Sequence, residues 1–131
     1  MQNPNLKSQS DNSNFKTDFT KRLIRYSLDV IKLCTELREK KKVIVIADQL
    51  VRSSTSIGAN VVEAKSASSK KEYIRYFEIA LKSANESKYW LLLLRESDQE
   101  YNEIAEALLR ETVEIAKILA SGTITMKGKK F

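Results

Sequence analysis

Residues 69–95 read SKKEYIRYFEIALKSANESKYWLLLLR, and they decide the fold. Within them Tyr73, Phe77, Ala80, Ala84, Ser87, Leu91 and Leu94 recur in strictly alternating steps of four and three. That spacing returns a side chain to one face of an α-helix at every turn. A Ser-Ser pair, Ser68 and Ser69, stands ahead as a cap, and Glu72 lies in the first turn, where a carboxylate favours a helix start.

Reading outward, the same alternation appears three more times. Phe19, Leu23, Tyr26, Val30, Leu33 and Leu37 form one stripe, with Ile24, Leu28 and Ile31 widening it and Thr17 or Asp18 as its cap. Val43, Ala47, Leu50, Ser54, Ile57, Val61 and Ala64 form a second, and VIVI at 43–46 is read as helix because the stripe runs through it. Tyr101, Ala105, Leu108, Thr112, Ile115 and Leu119 form the last, with Gly122 as its C-terminal stop. Short connections between helices of about 30 Å force each to run back along its predecessor. The expected fold is therefore all-α, an antiparallel up-down-up-down four-helix bundle over residues 16–121. Residues 1–15, polar and without periodicity, read as a disordered N-terminal tail, and 122–131 as a basic C-terminal tail.

Composition narrows the function classes. The chain has 131 residues, 42% of them hydrophobic, with three Gly, one Pro, one Cys and no His. One core serves a chain of this size. Lack of histidine removes the commonest general base and the commonest neutral metal ligand. Cys34 on the apolar arc of the first helix reads as a small hydrophobe, and the longest apolar run, Trp90 to Leu94, is far short of a membrane span. No phosphate loop, CxxC pair or HExxH element is present, so no cofactor, metal, catalytic residue or small-molecule substrate is expected. A cytoplasmic protein that is not an enzyme is the expectation.

The third helix carries more apolar surface than one bundle core can cover. Ile79, Tyr89, Trp90, Leu92 and Leu93 lie off its main stripe. Leaving such residues in water forfeits roughly 1.5 to 3 kcal/mol each, so they are read as an oligomer interface with further copies of the chain.

Charge is uneven too. Residues 19–42 hold eight Lys or Arg against three acids, whereas 98–121 hold six acids against two bases, an asymmetry that suits either helix packing or subunit docking. The net charge is +6, and Lys21, Arg22, Arg25, Lys40, Lys41, Lys42, Lys70 and Lys71 cluster as candidate nucleic-acid contacts, with Lys127, Lys129 and Lys130 in the C-terminal tail. No recognition-helix or RNA-module signature accompanies them.

At 53–63, SSTSIGANVVE, and at 71–86, KEYIRYFEIALKSANE, the sequence resembles a four-helix-bundle family. Its members are encoded in intervening sequences of bacterial large-subunit ribosomal RNA genes. It is also similar to the accessory bundle of diversity-generating retroelements. The resemblance rests on Ser56, Ile57, Asn60 and Glu63, followed by Lys71, Glu72, Tyr73, Phe77 and Ala80. It covers roughly residues 19–120. The chain departs from the pattern at Gly58, where the family often has Pro, and at Ala64, where it often has Gly. The resemblance implies a homo-oligomeric ring, commonly a pentamer, with a role in nucleic-acid transactions and no catalytic residues. Asn60 and Glu63, with Glu86 able to meet Arg52 or Asn60 from the third helix, admit two readings. One is a ligand or interface contact, the other a hydrogen-bonded cluster that sets helix register. Gly58 with Ser53, Ser54 and Ser56 reads as a row of small residues permitting close helix approach. For the whole chain, the alternative to nucleic-acid binding is a protein-interaction scaffold.

Overall fold

The structure is a computed structural model that describes residues 11–128, with side chains from residue 18 onward. Four helices follow one another: α1 (Asp11–Glu39), α2 (Ile44–Ala64), α3 (Lys70–Ser97) and α4 (Asn102–Gly128), with one 3₁₀ turn at Gln99–Tyr101 before α4. The described residues contain no strand. Contacts join consecutive helices and α1 to α4. Their antiparallel course shows in paired residues: the start of α1 meets the end of α2 through Thr20 and Lys65, and the end of α1 meets the start of α2 through Arg38 and Asp48.

Apart from the half-buried Val43, the Leu, Ile and Val residues on the three-plus-four positions of the four stripes are buried, including Leu23, Val30, Leu37, Leu50, Ile57, Leu91, Leu94, Ile115 and Leu119, whereas Ile24, Leu28 and Ile31 beside the first stripe are exposed. The interior is mainly aliphatic, with Phe19, Tyr26, Tyr101 and a few buried Ser and Thr among the Leu, Ile, Val and Ala side chains. The cap of α3 follows the sequence reading. The Ser69 hydroxyl accepts the Glu72 amide at 3.1 Å, and the Ser68 hydroxyl donates to the Glu72 carboxylate at 2.7 Å.

The helix ends differ from expectation. α1 is helical from Asp11, so Thr17 and Asp18 are interior positions rather than caps, and the N-terminal tail expected over 1–15 overlaps the helix. α4 does not stop at Gly122 but continues to Gly128, so residues 122–128 belong to the bundle and not to a tail. Gly122 serves packing instead: a Cβ there would stand 3.1 Å from the Phe77 ring, which itself stacks on Tyr73 with centroids 4.8 Å apart. Just beyond it, the buried Thr123 ties its hydroxyl to the Leu119 carbonyl at 3.0 Å. The remaining expectations for residues 1–10 and for Lys129 and Lys130 fall outside the described residues.

Val43 is likewise not the first residue of a helix but its cap, held at φ 39° in the left-handed region. A β-branched side chain is costly there. Val43 is half-buried against the core with Ile46, and that contact offsets the cost. Two residues earlier, Lys41 also has a positive φ of 54°. It completes the C-terminal closure of α1, in which the Lys42 amide donates to the Leu37 carbonyl at 2.9 Å and the Lys41 amide to Arg38 at 3.1 Å. Glycine usually occupies this position, since an L side chain there costs roughly 1–2 kcal/mol.

Lys41 is exposed and lies outside every ion pair of the described residues. The substitution Lys41→Gly should therefore stabilise the fold by about 0.5–1 kcal/mol, read as a higher urea midpoint at unchanged slope. A lower midpoint would show that this turn is not strained.

Candidate functional site

Polar side chains meet in the middle of the bundle. The Tyr26 hydroxyl on α1 lies 2.6 Å from the Thr112 hydroxyl on α4. Thr112 gives its own proton to the Leu108 carbonyl at 2.7 Å, so Tyr26 is the donor in the shared bond. Across the core, Ser87 on α3 donates to the Ser83 carbonyl at 2.8 Å, while Ser53 and Ser54 of α2 stand 2.8 and 3.1 Å from its oxygen. Burial raises the Tyr26 pKa above its ordinary value, and hydrogen bonds with Ser54, Thr112 and Ser87 oppose that rise. Hydroxyls from all four helices thus converge on one buried point. It has donors and acceptors but no ionised group, so it can orient helices and has no base with which to activate a nucleophile.

The family motif on α2 continues this polar seam towards the surface. Asn60 donates to the Ser56 carbonyl at 2.8 Å and lies 3.0 Å from the Ser56 hydroxyl, which in turn accepts from Ser83 of α3 at 3.0 Å. Ile57 is fully buried and Glu63 is exposed beside the groove between α1 and α2. Glu86 meets Arg52, one of the two partners foreseen, and also accepts the Trp90 indole N–H at 2.8 Å. Asn60 and Glu86 therefore act in separate clusters. Gly58 is not needed for close approach: a Cβ there would make ordinary contacts, 3.6 Å to Leu23 and 3.9 Å to Ser27.

Several of the candidate cations are used inside the chain. Arg22 clamps the Glu111 carboxylate of α4 through two bonds of 2.8 and 2.6 Å. Lys40 pairs with Glu100 at 3.1 Å, and Lys42 pairs with Glu100 at 2.8 Å and Asp98 at 3.3 Å. Hydrogen bonds from Lys42 and Lys40 hold the Glu100 carboxyl below its usual range. Both ammonium groups also sit 5.7–5.8 Å from the centroid of Tyr101. The basic end of α1 and the acidic start of α4 are thus partners within one molecule. Lys21, Arg25, Lys41 and Lys71 remain exposed, and no ion pair engages them among the described residues. Lys70 is half-buried beside them at the start of α3.

The apolar surface is also redistributed. Trp90 packs against the core of its own chain, and Ile79 and Leu93 are half-buried, leaving Tyr89 and Leu92 as the exposed members of the expected α3 interface. A larger exposed set lies on α1 and α2, where Ile24, Leu28, Ile31 and Val62 stand open. Ile24, Leu28 and Val62 line a groove of ≈ 450 Å³ between the two helices, with Gly58 and Ala59 at its floor. The α1 residues expected to widen the core stripe therefore face outward, the apolar arc of α1 being broader than one core contact covers. Arg75 and Lys82, exposed on α3 in line with Lys71, were not singled out at all. No three His, Cys, Asp or Glu side chains gather as a metal site among the described residues, and no described helix is long and apolar enough to cross a membrane.

With this geometry in place, the comparison with known proteins is direct. The family model described as 23S rRNA-intervening sequence protein matches residues 16–121. The chain belongs to that family. Its fold is shared by the crystal structure of a protein of unknown function from the S23 ribosomal protein family of Bacteroides thetaiotaomicron. That protein is 35% identical, with a TM-score of 0.76 over 82% of this chain and 96% of the other. No curated protein matches. The intervening-sequence family match covers the buried seam from Tyr26 to Thr112, the α1–α2 groove and the α3 motif alike.

Two outcomes follow from the buried groups. Tyr26→Phe should cost about 1–2 kcal/mol in urea unfolding, because it takes the donor from Thr112 and leaves buried hydroxyls short of a partner. An unchanged midpoint would mean that the seam contributes nothing to stability. Cys34 is buried on α1, and burial pushes its thiol up to about 11, helped by the charge of Asp48 and opposed by a backbone hydrogen bond from Val51. The folded state favours the neutral thiol, so the unfolded chain loses its proton first. Stability from this group is complete below about pH 8.5 and is lost as pH rises towards 11. Cys34→Ala should flatten that part of the profile, and an unaltered alkaline slope would remove Cys34 as its source.

Proposed function

We propose that this chain is a self-associating, non-enzymatic bundle that holds a nucleic acid by its phosphates. The observation that carries the reading is the basic surface left over after internal pairing. On the outer side of α1, Lys21, Arg25 and Lys32 are exposed and spaced by about one or two turns, outside every ion pair of the described residues. Lys71 opens a second run on α3. With a net charge of +6, such surfaces attract polyanions, and repetition across copies of the chain would multiply the attraction. Phosphate contacts of this kind position a nucleic acid without reading its bases.

Self-association is supported by the open apolar stripe of Ile24 (54% exposed), Leu28 (59%) and Ile31 (40%) beside Val62. Together these side chains form a patch of the kind that marks interaction sites in soluble proteins. Among the described residues no buried base stands beside a nucleophile, which favours binding over catalysis.

The test uses the full chain, with fluorescence anisotropy against a ribosomal RNA fragment, duplex DNA and a polyanion control over a salt series, and sedimentation under the same conditions. The expected result is a multimer that prefers nucleic acid to the control and weakens steeply with salt, the slope falling by about 2 in Lys21→Glu/Arg25→Glu. Charge reversal at Lys40 and Lys42 is unsuitable because those side chains hold loops together. Equal binding to any polyanion, or none at low salt, would replace this reading with that of a protein-interaction scaffold.

A further inference from the structure

The outer edge of α3 combines charge and an aromatic ring in one line. Lys71, Arg75, Glu78, Lys82, Asn85 and Tyr89 follow one another at steps of four, three, four, three and four, and all are exposed. They share one face of the helix and span about 27 Å along its axis. The single carboxylate among them, Glu78, is faced by Lys127 of α4 at 3.9 Å, so its charge is countered from the side. Lys71, Arg75 and Lys82 enter no ion pair among the described residues, unlike Lys40 and Lys42, which are committed to Asp98 and Glu100. The line ends on Tyr89, which is 56% exposed yet not loose. Its ring lies in a T-shaped arrangement with Trp90, centroids 5.4 Å apart, and Trp90 is itself packed on the core and anchored by its N–H to Glu86.

We infer that this ridge binds a single-stranded polynucleotide, with phosphates tracking Lys71, Arg75 and Lys82 and a base stacked on Tyr89. The inference rests on the nucleic-acid reading above and names the form of nucleic acid that the ridge selects. A duplex presents phosphates to the three cations as well as a single strand does, but its base faces are already stacked on each other. Only an unpaired base, in a free strand, loop or end, offers a π-face to an exposed tyrosine. A basic track joined to a stacking ring is the arrangement by which single strands are held without sequence preference, and a ridge of this length matches several nucleotides. Trp90 is the one tryptophan in the chain and touches the stacking ring, so it reports on occupancy of Tyr89 through its fluorescence.

The experiment titrates the full chain with a uridine 16-mer, a thymidine 16-mer and a hairpin duplex of equal charge whose strands are joined by a non-nucleotide linker, following Trp90 emission and anisotropy together, with sedimentation of each variant. Either single strand should bind more tightly than the hairpin and change Trp90 emission. Tyr89→Leu should weaken the single strands about tenfold and leave the hairpin unaffected, while Tyr89→Phe keeps wild-type affinity. Arg75→Glu/Lys82→Glu should weaken both and flatten the salt dependence. Preference for the uridine or the thymidine strand would tell RNA from DNA, and either preference supports the ridge. If Tyr89→Leu binds single strands as the wild type does, or weakens the hairpin equally, the ridge assignment fails while nucleic-acid binding by the basic surface stands. A change in sedimentation with unchanged strand binding would instead make Tyr89 a contact between copies and also overturn the assignment. If no nucleic acid binds at low salt, the underlying reading fails with it.

Discussion

The bundle depends on keeping a small set of hydroxyls paired at its dry centre. An apolar stripe drives each helix inward but says little about how far one helix slides along the next, since aliphatic contacts are nearly interchangeable from turn to turn. Hydroxyls remove that freedom. Tyr26 needs Thr112, and Ser53 and Ser54 need Ser87; moving any one helix by a turn would leave several buried donors or acceptors unmatched. Each lost bond costs about 1–3 kcal/mol, a large part of the stability that a domain this size possesses. The seam therefore sets register for all four helices, and the motif residues Ser56 and Asn60 extend it between α2 and α3. Ser56 and Asn60 of the motif thus belong to the packing between helices, and the seam holds in place the outer surfaces on which the proposed function rests.

Much of this was legible in the sequence because helical spacing is a local signal carried by residues a turn apart. The strict alternation from Phe19 to Leu37 and from Tyr73 to Leu94 leaves one face for the core, and all of those residues but Tyr73, which stacks on Phe77, are buried or packed against it. The capping serines before α3 are equally local. What could not be read depends on residues distant in the chain. Gly122 looks like a helix stop until Phe77 lies against it, and Val43 looks helical until the closure of α1 turns the backbone left-handed there. Trp90 looks surplus to a single bundle because periodicity counts faces but not the reach of a large ring, which bends back on to the core.

The candidate contact surface shows the same division. Composition and clustering pointed to the basic residues, but which of them stay available depends on the acids that the fold brings opposite. Arg22, Lys40 and Lys42 face Glu111, Glu100 and Asp98 across the bundle, whereas Lys21 and Arg25, on the outer side of the same helix, face solvent. A cluster in sequence thus separates into cations paired within the chain and cations left open to solvent. The apolar residues of α1 divide likewise, Leu23 into the core and Ile24 and Leu28 into the open groove.

The lysine and carboxylate group that joins Lys40 and Lys42 to Asp98 and Glu100 ties the α1–α2 loop to the α3–α4 turn at one end of the molecule. At the opposite end, where α2 turns into α3, Lys65 reaches Thr20 and Lys127 faces Glu78. Because the Glu100 carboxylate serves both lysines, the two turns are drawn together as a single clasp. A clasp of this kind couples the fate of two distant stretches of chain: the α1–α2 loop should loosen only together with the α3–α4 turn, so that local opening at this pole is shared rather than confined to one loop.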